Sequence, residues 1–269
     1  MKDPIKISVL GVAGRMGRMI LKAIIENNRT SLVGATEHEG HKWIGQDIGK
    51  LMLGKENGIL VSNKPHDVIM QSQAIIDFTK PEVSTDYCAL AAQARIVHVI
   101  GTTGFSKIQL EKLEFAAQHA VIIRSGNMSL GVNLLTVLTQ RVAKALSEDY
   151  DIEILEMHHN KKIDAPSGTA LMLGEAAAIG RGVPLNNPSE NSIFELKAER
   201  EKGSIGFASL RGGDVVGEHD VIFSTSGERI ILRHVATDRM IFARGAVAAA
   251  IWGFGRSPGE YNMMDVLEI

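Results

Sequence analysis

The sequence predicts a two-part α/β protein: a doubly wound parallel sheet in the N-terminal half, then an α+β domain with a mixed or antiparallel sheet. Three observations predict this. Apolar strand-like runs alternate with helical patterns up to about residue 128, which is typical of a parallel sheet covered by helices. A glycine-rich turn joins the first run to the first helix. After residue 128, three strand-like segments follow one another across Gly-rich turns, which favours antiparallel pairing.

The N-terminal half divides into five strands and three helices. The first strand is continuously apolar, as expected when both faces of a strand are buried. The second helix begins at Pro81, where the missing N–H costs no hydrogen bond. The predicted strands are 5–11, 31–37, 74–79, 96–104 and 120–127, and the predicted helices are 15–28, 81–94 and 106–118.

The C-terminal half has a different order of helical and strand-like segments. Its predicted helices are 129–148 and 167–180, with a strand over 149–157 between them and a polar stretch over 183–192 after them. Ser167 suits the N-cap of the second of these helices. The three strand-like segments are 204–213, 217–227 and 228–237. A final apolar helix, 239–255, has no predicted strand after it to pair with.

Composition limits the possible classes of function. The 269 residues carry a formal net charge of -2, whereas a nucleic-acid-binding protein usually shows a basic face. One cysteine, Cys88, allows neither an intramolecular disulfide nor a site of several thiolates. Apolar runs stay well short of the roughly 20 residues that span a bilayer, and the chain starts with a strand rather than a signal peptide. We therefore expect a soluble, cytoplasmic protein.

The turn after the first strand indicates a dinucleotide site of the Rossmann type. It places Gly11, Gly14 and Gly17 between strand and helix, with Ala13 at the usual second-glycine position. Glycines there let a phosphate approach the backbone and the helix N-terminus. Glu37 ends the second strand 20 residues after the last glycine, where an acid accepts hydrogen bonds from the adenosine ribose. A glycine turn without a ligand is the weaker interpretation.

The choice between NAD and NADP stays open in the sequence. Glu37 favours a free 2′-hydroxyl and hence NAD. His38, Lys42 and Lys80 could nevertheless neutralise a 2′-phosphate, although position 38 carries no arginine to clamp one bidentately. We expect NAD, with dual use possible.

Two further loops follow strands of the parallel sheet. GTTG (101–104) and SGNMS (125–129) end the fourth and fifth strands, and ligands of open α/β sheets bind beyond the carboxyl ends of strands. These loops are natural walls for a nicotinamide, but ordinary turn chemistry explains the same residues.

A cationic cluster follows the strand 149–157. His158, His159, Lys161 and Lys162 precede Ser167-Gly168-Thr169, a helix start that offers N–H groups to a carboxylate. Histidine suits general acid catalysis near neutral pH. The alternative is a solvated loop. A zinc site lacks ligands with suitable spacing, and we assign the other histidines (His66, His98, His119, His219 and His234) to surface or core.

Together these stretches resemble the 4-hydroxy-tetrahydrodipicolinate reductase family, formerly dihydrodipicolinate reductase, of the diaminopimelate route to lysine. The resemblance covers essentially the whole chain and rests on GVAGRMGR, IDFTKPE, GTTGF, NMSLGVN, EMHHNKKIDAPSGTA, SIGFASLRGGDVVGEH and FARGAVAAAIW. The stretch EMHHNKKIDAPSGTA, at the end of the strand 149–157, is far more specific to the family than the glycine turn. The resemblance implies NADH- or NADPH-dependent reduction of a cyclic dicarboxylate, with loss of its 4-hydroxyl as water and without a metal.

The resemblance also assigns roles to residues. It implies that His158 is the proton donor and Lys162 a second acid/base group, while His159, Gly168 and Thr169 contact substrate carboxylates. The cofactor residues that it implies are Gly11, Val12, Ala13, Gly14, Arg15, Met16, Glu37, His38, Gly101, Thr102, Thr103, Ser125, Gly126, Asn127 and Met128.

The resemblance further implies a division into domains. Residues 1–128 and 240–269 would bind the dinucleotide, because the C-terminal helix would return to that domain. Residues 129–239 would bind substrate and form a homotetramer through the exposed sheet.

The chain departs from the family pattern at three places. His38 stands where relatives with dual cofactor use often carry arginine. SGNM (125–128) lacks the aromatic residue that often follows the asparagine, which makes the nicotinamide wall softer. The stretch 190–203 lacks a glycine-rich segment common before the sheet, so we expect a reshaped, mobile connection there.

Two other classes of function, another nicotinamide-dependent dehydrogenase and a catalytically silent cofactor sensor, fit the sequence less well. A semialdehyde dehydrogenase needs a nucleophilic cysteine, and Cys88 lies in an apolar helix. A short-chain dehydrogenase needs Tyr-x-x-x-Lys, yet the residues four positions after the three tyrosines are Ala91, Ile154 and Asp265. A catalytically silent cofactor sensor would have lost the cationic cluster, which is intact.

Overall fold

The computed structural model describes residues 3–185 and 200–269, and the chain falls into two compact units. Unit 1 comprises Met1–Ser129 and Met240–Glu268, and unit 2 comprises Leu130–Arg239.

Unit 1 is built on a parallel sheet to which seven of the described strands contribute. In spatial order these are β11 (Gly259–Tyr261), β6 (Val121–Arg124), β5 (Val97–Ile100), β4 (Ala74–Asp77), β1 (Ile5–Leu10), β2 (Thr30–Thr36) and β3 (Val61–Ser62). Every residue of the two central strands β4 and β5 is buried, as expected for strands covered by helices on both faces.

Helices cover both faces of this sheet. The described helices of unit 1 are α1 (Arg15–Glu26), α2 (Ile48–Leu53), α3 (Pro65–Met70), α4 (Pro81–Ala94), α5 (Lys107–Ala117), α8 (Met240–Gly253) and α9 (Met263–Leu267). Side chains of α1 and α8 pack with Ile76 and Val99 on one face. Those of α4 and α5 pack with Ile75 and Ile100 on the other. Neighbouring strand residues thus serve opposite cores, so the predicted Rossmann-type sheet is confirmed.

Unit 2 has a four-stranded sheet among its described residues, in the order β10 (Glu228–Ala236), β9 (Gly217–Thr225), β7 (Asp151–His158), β8 (Ile205–Arg211). Helices α6 (Leu130–Ala145) and α7 (Gly168–Arg181) enclose a core with Ile152, Ile154, Val221 and Phe223. Residues of β7 alternate between partly and fully buried, because one face of the sheet meets this core.

The structure corrects two expectations. The segments β8 and β9 do not pair with each other: β8 lies parallel to β7, and β9 lies antiparallel to the other edge of β7. Only β9 and β10 form the expected hairpin among these segments in the described chain. The C-terminal helix is followed by a strand after all, since β11 pairs with β6.

Short elements between residues 48 and 70 escaped prediction because two to six residues carry too little periodicity. We expected a mobile connection over 190–203. Its residues 190–199 lie outside the part of the chain that the structure describes. Within the described residues, no helix is both long and apolar enough to cross a membrane.

Candidate active site

The carboxyl end of β7 brings Glu156 and His158 to the same side of unit 2. The two residues are separated by one position on a strand, so their side chains share a face, and both are buried. The strand register adds two further residues. Arg211 of β8 lies opposite His158, and His219 of β9 lies opposite Glu156. Four ionisable side chains therefore meet at one end of the sheet.

Glu156 is the centre of this cluster. Its carboxylate accepts a bidentate pair of hydrogen bonds from Arg211, at 2.9 Å to Oε2 and 2.8 Å to Oε1. It also accepts the backbone N–H of Ser167 at 3.3 Å and contacts Nδ1 of His158 through Oε2. Burial alone would raise the pKa of Glu156, but Arg211, Ser209 and His158 hold it below its usual value. Glu156 is therefore a buried, charged anchor.

The anchor orients the His158 ring. An ionised carboxylate at Nδ1 requires that nitrogen to carry a proton, which leaves Nε2 as the working atom. Nε2 points toward Gly217, where a Cβ would lie only 3.0 Å away. Burial is the main influence that holds the pKa of His158 below its usual value; Glu156 opposes it, and Lys162 and Arg211 reinforce it.

His219 also belongs to this cluster, which corrects its assignment to a partnerless surface or core position. Its Nε2 lies 3.2 Å from Oγ of Ser167, and its ring packs edge-on against His158 at 5.1 Å. Burial, reinforced by the neighbouring His158, lowers the pKa of His219 to about 4. The ring is thus neutral at pH 7.

The predicted start of α7 is confirmed. Ser167 is the N-cap and accepts a hydrogen bond from the backbone N–H of Ala170 at 3.2 Å. Gly168 is exposed, and a Cβ there would meet open space. The helix N-terminus and its partial positive charge are therefore open to an anion on this side.

The other cations have distinct surroundings. Lys162 donates to Asp164 at 2.8 Å, and this contact lowers the pKa of Asp164. His159 approaches Arg239 with 3.4 Å between Nε2 and Nη2, a neighbour that sequence reasoning missed. Lys161 is exposed. The predicted cationic cluster therefore extends to Arg239.

Sequence reasoning also missed Glu156 and Arg211. The two-residue period of β7 could have placed Glu156 beside His158. Arg211 and His219 come from strands whose register no local pattern specifies.

In unit 1, the glycine turn has the form that a dinucleotide phosphate requires. Gly14 is the N-cap of α1 and has no side chain to cap the first N–H groups. Gly11 adopts a positive φ of 70°. A Cβ on Gly17 would collide with the carbonyl of Gly11, so this glycine permits close packing of the turn on the helix. The turn therefore leaves the positive end of α1 accessible.

Glu37 supports this turn directly. Its Oε1 accepts the backbone N–H of Ala13 at 2.7 Å, and its Oε2 accepts that of His38 at 3.2 Å. The His38 ring is exposed and stands edge-on to His41. The Arg18 guanidinium lies over the Trp43 ring, 4.8 Å from its centroid. These residues lie beside the position expected for the adenosine ribose of the cofactor.

The remaining predicted cofactor residues lie in loops at the carboxyl edge of the same sheet. Gly101 permits the close approach of the Phe78 ring, where a Cβ would collide. The hydroxyl of Ser84 donates to Thr102 at 2.9 Å. In the loop 125–128, Ser125 donates to the carbonyl of Asn127 at 2.9 Å, and Met128 is buried. Both loops have ordered polar support.

Among residues 3–185 and 200–269, two groups of side chains have the composition of a metal site. Donor atoms of Glu156, His158 and His219 lie within 4.8 Å of one another, as do those of Glu37, His38 and His41. In the first group, Arg211 and His158 already engage the Glu156 oxygens, which makes it a hydrogen-bonded cluster.

Comparisons with known proteins agree with this geometry. The family model described as "Dihydrodipicolinate reductase, N-terminus" matches residues 5–128, and its C-terminus counterpart matches residues 131–267. The chain belongs to the dihydrodipicolinate reductase family. It is therefore an oxidoreductase that uses a nicotinamide cofactor, and the predicted class of enzyme is confirmed.

Individual relatives span the whole chain. The 4-hydroxy-tetrahydrodipicolinate reductase of Cereibacter sphaeroides (strain KD131) is 58% identical and covers 99% of both chains. The protein of the same name from Parvibaculum lavamentivorans is 53% identical and covers 100% of both. The fold resembles that of a dipicolinate-bound dihydrodipicolinate reductase from Paenisporosarcina sp. TG-14, with a TM-score of 0.75, 23% identity and coverage of 97% and 98%.

Proposed function

We propose that this chain reduces 4-hydroxy-tetrahydrodipicolinate to tetrahydrodipicolinate with NADH or NADPH, releasing the 4-hydroxyl as water, in lysine and diaminopimelate biosynthesis. The observation that carries the proposal is the buried Glu156–His158 pair beside cations and an open helix start. The names of full-length relatives support the same substrate.

A nicotinamide held by the glycine turn and the loops after β5 and β6 would supply the hydride that the conjugated imine system of the ring accepts. The reaction also consumes one proton and releases one water, so the protein must supply a proton donor. His158 serves this role through Nε2, since Nδ1 is engaged by Glu156. Lys162 is the second acid/base group, and its charge reaches the His158 ring.

Substrate carboxylates have a matching set of partners in unit 2. The backbone at Gly168 and Thr169 opens α7 and attracts a carboxylate by its N–H groups and helix dipole. His159, with Arg239 behind it, and Lys162 add positive charge. A dicarboxylate fits this arrangement better than a neutral ring would.

Substrate charge also prepares the proton donor. In the free protein, burial, Lys162 and Arg211 lower the pKa of His158. A bound dianion offsets these cations, so His158 takes up a proton when substrate arrives. The acid is thereby loaded in the complex that needs it.

For the cofactor, we assign the glycine turn Gly11–Met16, Glu37, His38 and the loops 101–103 and 125–128. Glu37 beside the turn favours NADH, and the exposed His38 next to His41 leaves room for a 2′-phosphate. Residues 1–128 and 240–269 form the dinucleotide-binding domain in this proposal, and 129–239 form the domain that binds substrate.

The second domain would also assemble a homotetramer. The sheet face opposite the core of unit 2 carries apolar side chains that are half-buried or exposed, among them Leu155, Met157, Leu210, Ile222, Ile231 and Val235. Such a face needs a cover in solution, and sedimentation of the protein would show whether another copy provides it.

The test couples the chain to a synthase that forms the substrate from pyruvate and aspartate semialdehyde, and follows NADH absorbance. We expect consumption that depends on the synthase. Lys162→Gln should lower kcat strongly while NADH affinity stays unchanged. Lys161→Gln, the same change on the exposed neighbour, is the matched control and should retain activity. No NADH loss with active synthase present would refute the proposed function.

A further inference from the structure

A buried charged pair lies under the carboxyl edge of the sheet in unit 1. Asp77 ends β4, His98 lies within β5, and neither side chain has any exposed surface. His98 Nε2 is 3.4 Å from Asp77 Oδ2, and neither atom has a hydrogen-bond partner in residues 3–185 or 200–269. The ion pair is therefore the main compensation for burying both groups, which is costly.

The electrostatics favour the charged form of both partners. Burial alone would lower the pKa of His98, but the Cys88 sulfur, 3.3 Å from Nδ1, and Asp77 raise it to about 9. Burial would raise the pKa of Asp77, whereas His98, Ser84 and Thr79 together lower it. The ring is thus cationic and the carboxylate anionic at pH 7.

The other oxygen of Asp77 holds a tight turn. Oδ1 accepts the backbone N–H of Thr79 at 2.8 Å and its hydroxyl at 2.6 Å. The Thr79 hydroxyl lies 3.5 Å from that of Ser84, which donates to Thr102 at 2.9 Å. Polar side chains therefore lie next to one another from His98 to the 101–103 loop.

This turn fits between the two glycine loops proposed for the cofactor. A Cβ on Gly11 would lie 2.9 Å from Thr79 Cγ2, and a Cβ on Gly101 would collide with Phe78. Phe78 and Thr79 therefore determine how closely the loops after β1 and β5 can approach each other. A shift of the Phe78–Thr79 turn would therefore move both of these loops.

We propose that the Asp77–His98 pair is a positioning device that holds the Phe78–Thr79 turn, and through it both glycine loops, in the geometry that binds the dinucleotide. This inference rests on the proposed nicotinamide site. The pair acts through Thr79 and Ser84 and is not itself a catalytic group.

The test compares NADH dissociation constants, from nicotinamide fluorescence, with kcat at saturating cofactor. His98→Leu keeps a similar volume but removes the ion-pair partner of Asp77, and should weaken NADH binding about tenfold. His98→Gln restores a donor near the Nε2 position and should bind within about threefold of wild type. Ser84→Ala, a smaller truncation, should weaken binding several-fold. All three should keep kcat close to that of wild type.

The matched control is Ser8→Ala, which removes the buried hydroxyl contact of 2.7 Å between Ser8, in β1 of the same sheet, and Ser72. It should lower stability without changing NADH affinity. Wild-type affinity in both His98→Leu and Ser84→Ala would overturn the inference. Equal loss in Ser8→Ala would also overturn it, because the effect would then follow stability alone. A wild-type chain that binds neither NADH nor NADPH would refute the nicotinamide site itself.

Discussion

Glu156→Gln tests whether the buried carboxylate positions the proton donor. The substitution keeps the shape of the side chain but removes its charge, and the new amide turns a donor toward either Arg211 or His158 Nδ1. In the native cluster Glu156 receives two hydrogen bonds from Arg211, one from Ser167 and one from His158. The glutamine side chain has only one oxygen, so it cannot accept all of these hydrogen bonds.

The expected effect follows from the value of the Glu156–His158 contact. A hydrogen bond to a charged group contributes about 1.5–3 kcal/mol. If this orientation energy is lost in the transition state, kcat falls about 10- to 150-fold. Affinity for NADH should stay unchanged, since the proposed cofactor residues are in unit 1. Stability should also fall, because Arg211 loses its buried counter-charge.

The assay is steady-state NADH oxidation at several pH values, with urea unfolding and NADH fluorescence on the same samples. Glu153→Gln is the matched control. Glu153 lies on the other face of β7 and also pairs with an arginine, Arg200. The Glu153→Gln substitution therefore removes a similar ion pair outside the cluster. A Glu156→Gln enzyme with kcat within about twofold of the Glu153→Gln enzyme would refute the positioning role.

Three further predictions concern the same cluster. Gly217→Ala would bring a methyl group to 3.0 Å from Nε2 of His158, so kcat should fall at least about tenfold with NADH affinity intact. The pKa of His219 is about 4 when folded, against 6.5 for the free side chain, so the unfolded chain binds more protons between these values. Urea unfolding should therefore show stability falling by roughly 3 kcal/mol as pH drops through this window, and His219→Gln should remove this loss. If bound carboxylates raise the pKa of His158 as proposed, the alkaline limb of kcat should lie at higher pH than that of kcat/KM; coincident limbs would contradict charge-driven loading.

Local patterns were sufficient for most of unit 1. The alternation of strand-like and helical segments and the spacing from Gly17 to Glu37 predict a parallel sheet and a dinucleotide turn, because both depend on residues close in sequence. The helix start at Ser167 was predictable for the same reason: an N-cap hydroxyl bonds an N–H only three residues away. The 4-hydroxy-tetrahydrodipicolinate reductase resemblance rests on such contiguous motifs and is confirmed by the family comparison.

What the sequence by itself determined is the class of the longer elements and the candidate acid/base residues, His158 and Lys162. Only the tertiary structure decided how His158 is held. The parallel register of β8 and the antiparallel register of β9 on either side of β7 bring Arg211 and His219 beside Glu156. Strand register depends on packing of whole faces across a distance of more than 50 residues, so no local pattern encodes it. The buried Asp77–His98 pair likewise depends on the adjacency of β4 and β5.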